Sequence, residues 1–116
     1  MKFSQNILVI RFSSIGDIVL ATSPLNTIRS AFPGAKITFL TLEKFSSLLE
    51  FHPDIDRLIS IPSNMKFREL WSFGTYLKRN GYDLIYDLHN SLRSNIVTFQ
   101  SKSEIFQLQK PRWKRM

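Results

Sequence analysis

The chain has 116 residues, 43% of them apolar, and no cysteine, which suits one compact domain over 1–116 and excludes a disulfide framework, a thiolate metal site and a cysteine nucleophile. Sixteen basic against nine acidic residues give a net charge of +7, and from Ser91 onward Arg93, Lys102, Lys110, Arg112, Lys114 and Arg115 face only Glu104. A basic end of this kind contacts nucleic acid, anionic lipid or an acidic substrate, or is simply solvated.

The first element is an apolar run, "NILVIRF", which reads as a strand. Its core from Ile7 to Ile10 stops at Arg11 and is too short for a signal-peptide core. Nothing later approaches the roughly 20 apolar residues of a membrane span, so the cytosol is the expected location. After the corner "SSIG", the residues Ile18, Ala21, Leu25, Ile28 and Phe32 recur at steps of three and four. That spacing predicts a helix from about Gly16 that lays one stripe on a sheet and ends at Phe32-Pro33-Gly34. Pro24 lacks the amide that would bond back to Leu20, so a kink or break is expected inside this helix.

Further strands are predicted at "KITFLTL", "RLISIP", "YDLIYDL" and, more weakly, "SEIFQLQ". Between the third and fourth strands, "KFRELWSFGTYLKRN" predicts a helix with Phe67, Leu70, Trp71, Gly74 and Leu77 on one face, packed on the sheet. Lys78 and Arg79 suit the negative end of its dipole, and Asn80-Gly81 is its stop. Strands alternating with helical runs imply β-α-β units and a parallel sheet. The expected fold is α/β: a Rossmann-like, doubly wound sheet of about five strands in the order 3-2-1-4-5.

Several chemistries are disfavoured by what the motifs lack. A dinucleotide fingerprint needs several glycines at the first strand-helix turn, where only Gly16 stands, and no Gly-Lys-Ser/Thr of a P-loop occurs. His52 and His89 lack the paired spacing of a zinc site. No cofactor and no metal is therefore expected.

In a sheet of this order the connection direction reverses between strands one and four, and ligands bind in the crevice at their carboxyl ends. The loop after strand one supplies Ser13, Ser14, Gly16 and Asp17; the loop after strand four supplies Asp87, His89, Asn90, Arg93 and Ser94. Asp17 would stand near unpaired amides and the positive end of a helix dipole, which favours an ionised carboxylate able to accept a proton. By position alone it could equally complement the dipole while Ser13 or Ser14 caps the helix. Arg93 can grip an anionic group in bidentate fashion, and His89 and Asn90 can bond to hydroxyls. Together these groups suit a charged, polyhydroxylated acceptor; the plainer reading has Asn90 or Ser91 capping the next helix and Arg93 at the surface.

Four ordered segments, "ILVIRFSSIGDIVLATSPLNTIRSAFPGAKITFLT", "HPDIDRLISIP", "YDLIYDLHNSLRS" and "KPRWKRM", together resemble the N-terminal domain of the family 9 glycosyltransferases, the ADP-heptose:lipopolysaccharide heptosyltransferases. The resemblance implies the acceptor-side half of a two-domain GT-B architecture, with the domain that binds the ADP-heptose donor absent and the chain a fragment inactive alone. It implies an inverting, metal-independent transfer of heptose to a lipopolysaccharide core acceptor. In the Ser-x-Gly-Asp motif, here "SIGD", Asp17 would be the catalytic base. Ser13, Ser14, Gly16, His89, Asn90, Arg93 and Ser94 would line the acceptor site. Many members carry Gln-Gly where this sequence has His89-Asn90. The resemblance further implies a cytoplasmic protein at the inner membrane of a Gram-negative bacterium, with peripheral membrane contact near "KPRWKR" and Trp113 and no specific nucleic acid partner.

Two other classes fit the fold. One is a non-catalytic flavodoxin-like module whose basic tail contacts nucleic acid or anionic lipid, although the tail shows no RNA-binding module. The other is a receiver-like phosphoacceptor domain, for which Asp17 and Asp87 lack the accompanying acids.

Overall fold

A computed structural model describes residues 5–12, 15–20 and 22–107. Five strands, β1 (Asn6–Ile10), β2 (Lys36–Leu42), β3 (Arg57–Ile61), β4 (Leu84–Asp87) and β5 (Glu104–Gln107), form one sheet in the order β3-β2-β1-β4-β5. Every neighbouring pair is parallel. This is the expected order. β1 lies at the centre, with Ile10 opposite Leu40 of β2 on one side and Asp87 of β4 on the other. Its continuous apolar run follows from burial on both faces, as parallel sheets require. From Ile7 to Ile10 every side chain is fully buried.

The alternation of β1 divides the core. Ile7 and Val9 point to a layer built from α1 (Ile15–Leu20) and α2 (Thr22–Ala31), where they pack with Ile18, Leu25, Ile28 and Phe39. Leu8 and Ile10 point to the opposite layer, built from α3 (Phe67–Asn80) and α4 (Leu92–Thr98), among Leu70, Leu77, Ile85 and Val97. Helices thus cover both faces, and the side of the connection changes between β1 and β4.

The kink or break expected from Pro24 falls at Ala21, between α1 and α2, and lies outside the described residues. The link from β2 to β3 opens with a 3-10 turn over Glu43–Leu48.

α3 departs from its predicted face. Leu70, Gly74 and Leu77 are buried, but Phe67 and Trp71 are 64% and 40% exposed. At 3.6 residues per turn they stand about 60° and about 100° round the helix from Leu70, beyond the edge of a narrow stripe. The stripe is narrow because α3 also abuts α4. A Cβ on Gly74 would lie 3.0 Å from the Val97 carbonyl oxygen and 3.1 Å from Gln100 Nε2. α3 ends as expected at Gly81, whose φ of 65° is the left-handed conformation that glycine adopts without strain.

Candidate functional site

The chain leaves β1 and β4 side by side at the carboxyl edge of the sheet. One further hydrogen bond, from the Leu88 amide to the Ile10 carbonyl at 3.0 Å, carries the ladder past the end of β4. Arg11 follows directly. Its backbone amide donates to the Leu40 carbonyl at 3.1 Å, which holds the residue in line with β1. Its guanidinium donates through one Nη to the Leu88 carbonyl and meets Asp17 through the other at 2.7 Å. One side chain thereby ties the exit of β1, the exit of β4 and the first turn of α1.

Asp17 lies in that first turn with its side chain 49% exposed. Gly16 beside it is exposed, and a Cβ there would meet no atom within 4 Å. The carboxylate therefore borders open space at the edge of the sheet. Ser13 and Ser14 lie outside the described residues.

The exit of β4 is organised by Asp87, which is fully buried. Its Oδ1 accepts from the amides of His89 at 3.1 Å and Asn90 at 2.8 Å, and its Oδ2 accepts from Gln107 Nε2 at 3.2 Å. A buried carboxylate is tolerated only when its lone pairs are used in this way. The result is a tight turn in which Asn90 takes φ 46°, a conformation asparagine reaches more readily than most residues. Ser91 then caps α4, accepting from the Ser94 amide at 3.3 Å while Ser94 Oγ accepts from the Ser91 amide at 2.8 Å. Ser94 is fully buried and its hydroxyl also donates to the Ser91 carbonyl at 3.0 Å. Its work is to fix the start of α4, one residue beyond Arg93.

His89 joins the two exits. Its ring stands edge-on to Phe12, centroids 5.2 Å apart. Burial holds the imidazole below its usual range, and the nearby charges of Arg11 and Arg93 push the same way against Asp87 and Asp17. His89 is consequently a neutral hydrogen-bonding group near pH 7. The charges acting on it come from both loops.

Sequence reasoning placed Asp17, Gly16, His89, Asn90 and Arg93 at this edge but took Arg11 only as the end of an apolar run. A cation directly after the central strand was the available signal. Gln107, which donates to both Asp87 and Asn95, was likewise seen only as part of a weak strand. Among the described residues no group of three or more His, Cys, Asp or Glu side chains could hold a metal ion, and no helix is long and apolar enough to cross a membrane.

No family model matches the chain. It is 30% identical over 95 residues to lipopolysaccharide heptosyltransferase 1 of Campylobacter coli, a match covering 81% of this chain and 28% of that protein. Among solved structures it superposes on a glycosyl transferase family 9 protein from Veillonella parvula with a TM-score of 0.79 at 21% identity, covering 95% of this chain and 37% of that one. The E. coli ADP-heptose lps heptosyltransferase II gives a TM-score of 0.71 at 30% identity, with 81% and 27% covered. The chain thus spans under a third of the length of the curated relatives it matches.

Proposed function

We propose, for a chain whose relatives in sequence and fold are the heptosyltransferases of glycosyltransferase family 9, that this domain is the acceptor-binding half of an inverting, metal-independent transfer of heptose from ADP-heptose to a lipopolysaccharide core. The observation that carries the reading is the Asp17 carboxylate, half exposed at the carboxyl edge of the sheet and held by Arg11 at 2.7 Å. In the reaction, Asp17 takes the proton of an acceptor hydroxyl while that oxygen attacks the anomeric carbon of the donor sugar. The bond from the anomeric carbon to the diphosphate breaks, and ADP leaves with the electron pair. Attack on the face opposite the leaving group inverts the anomeric centre.

The remaining residues position the acceptor. Arg93 pairs with its acidic groups, and His89, being neutral, bonds to hydroxyls without adding a charge. Arg11 directs the base, since a carboxylate fixed within hydrogen-bond reach of the hydroxyl is what general-base catalysis requires. The donor is held by a second domain of the kind the longer relatives have room for. The protein works on the cytoplasmic side of a membrane that presents the lipid-anchored acceptor, touching it peripherally.

The test joins this domain to a family donor domain and replaces Asp17 by Ala. Turnover should fall while ADP-heptose binding, measured by calorimetry, stays at the parent value. Undiminished turnover removes Asp17 from the reaction.

A further inference from the structure

The layer of α3 and α4 presents aromatic side chains outward. Phe67 stacks on Trp71 with centroids 6.3 Å apart, and Trp71 meets Phe99 at 5.8 Å. Phe99 is 76% exposed, and Leu92, at the start of α4, is 77% exposed. Between the two helices these rings line a groove of about 250 Å³ with Asn95 and Ile96. Scattered apolar side chains are ordinary at a surface, whereas a contiguous aromatic run marks a contact.

Charge identifies the contact. Lys66 through Asn80 and Leu92 through Thr98 carry Lys66, Arg68, Lys78, Arg79 and Arg93 against Glu69 alone. The opposite layer, α1, α2 and the 3-10 turn, carries Arg29 and Lys44 against Asp17 and Glu43. The positive excess therefore lies on the layer that exposes the rings, and Lys66 and Arg68 adjoin Phe67 itself. Rings able to enter an acyl boundary, with cations beside them, match a negatively charged bilayer. The placement matches too. In a parallel sheet α3 and α4 begin at the carboxyl edge, so Phe67 and Leu92 stand at the same end as Asp17 and Arg93.

We infer that the outer face of α3 and α4, centred on Phe67, Trp71 and Phe99, docks on an anionic phospholipid surface and so presents the Asp17 edge to a lipid-anchored acceptor. The inference rests on the proposed acceptor-side reading for its purpose, but its test does not, because the vesicles contain no sugar.

The experiment uses the full chain carrying Trp113→Phe, which leaves Trp71 as the fluorescent reporter, and vesicles of phosphatidylglycerol and phosphatidylethanolamine or of phosphatidylcholine alone. Trp71 emission should shift to the blue with the anionic vesicles, and Phe67→Ser with Phe99→Ser should weaken partition about tenfold with an unchanged far-ultraviolet spectrum. Lys66→Gln with Arg68→Gln should weaken it further at low salt than at high salt. Asp17→Asn should bind vesicles as the parent does, even if transfer is lost. Three results would overturn the inference: no shift of Trp71, partition indifferent to the serine pair, or loss of all binding when only Lys110, Arg112, Lys114 and Arg115 become Gln. A blue shift that grows with protein concentration in the absence of vesicles would assign the face to a second copy of the chain and equally overturn it.

Discussion

Two arginines stand at opposite ends of the sheet and are used differently. Arg29, in the last turn of α2, donates to the carbonyls of Pro33 at 3.2 Å, Ala35 at 2.6 Å and Asp54 at 3.3 Å and to the Asp56 carboxylate at 2.8 Å. Asp56 in turn accepts from the Ile37 amide at 2.8 Å. The cluster closes the amino edge, where β2 and β3 begin, and Arg29 spends its donors there on main chain and one neighbour. Arg11, at the carboxyl edge, splits its guanidinium between one carbonyl and Asp17. Its Nε is buried without a hydrogen-bond partner among the described residues. Arg29 is wrapped by three carbonyls and a carboxylate, whereas Arg11 stands with one carbonyl and the half-exposed Asp17 carboxylate. On the proposed reading, the same kind of ion pair serves stability at one edge and chemistry at the other, which is where ligands bind in such sheets.

The contrast is broken most directly at Asp17. Its replacement by Ala in the joined two-domain enzyme should cost about 10²–10⁴ in turnover, the usual worth of a positioned base, with the thermal midpoint nearly unchanged. Arg29→Met should do the reverse. It removes the bonds to the Pro33, Ala35 and Asp54 carbonyls and to the partly exposed Asp56 carboxylate, for about 2 kcal/mol of stability by urea unfolding, most of it from the carbonyl bonds, and leaves turnover per folded molecule intact. Arg11→Met lies between them: about 1–2 kcal/mol of stability through the lost Leu88 contact, together with a fall in turnover that persists where the protein is fully folded. Should Arg11→Met lower stability alone, the two arginines would be equivalent and the carboxyl edge would lose its distinction.

How far these roles could be read in advance differs by element. The strand order followed from runs of apolar residues alternating with helical periods, because burial on both faces of a parallel sheet leaves so strong a pattern. The stripe on α3 was drawn too wide, since a spacing of three or four places Phe67 and Trp71 near Leu70 without saying how close α4 comes; Gly74 was the clue to that approach. Asp17, His89 and Arg93 could be located by topology. The Arg11 pair could not, because it joins the residue after β1 to the first turn of α1, a meeting of side chains that no apolar period records. The turn around Asp87 was not read in advance: Asp87 was placed only in the loop after strand four, and nothing in "DLHNS" says that its carboxylate is fully buried.

Acid separates the two edges by the smallest effect and in a definite order. His89 is held below its ordinary value of 6.5, by burial first and the two arginines next. Between that value and its lowered one in the folded protein, the unfolded chain binds the extra proton, so the folded state loses stability as pH falls from neutrality through the mildly acidic range. Burial pushes the Asp56 carboxyl up, but the Ile37 amide and the Arg29 guanidinium outweigh it and hold it below 3.8. Its contribution is complete above 3.8 and disappears only as pH falls below that value toward the lowered one. Each effect should stay within about 1 kcal/mol, because solvent screens exposed charges such as Asp56. Unfolding midpoints recorded from pH 7.5 to pH 3 should therefore show His89→Gln flattening the upper part of the profile and Asp56→Asn flattening the lowest part. A His89→Gln protein that declines between pH 7 and pH 5 as steeply as the parent would mean that the imidazole is not the group that answers to acid at the carboxyl edge.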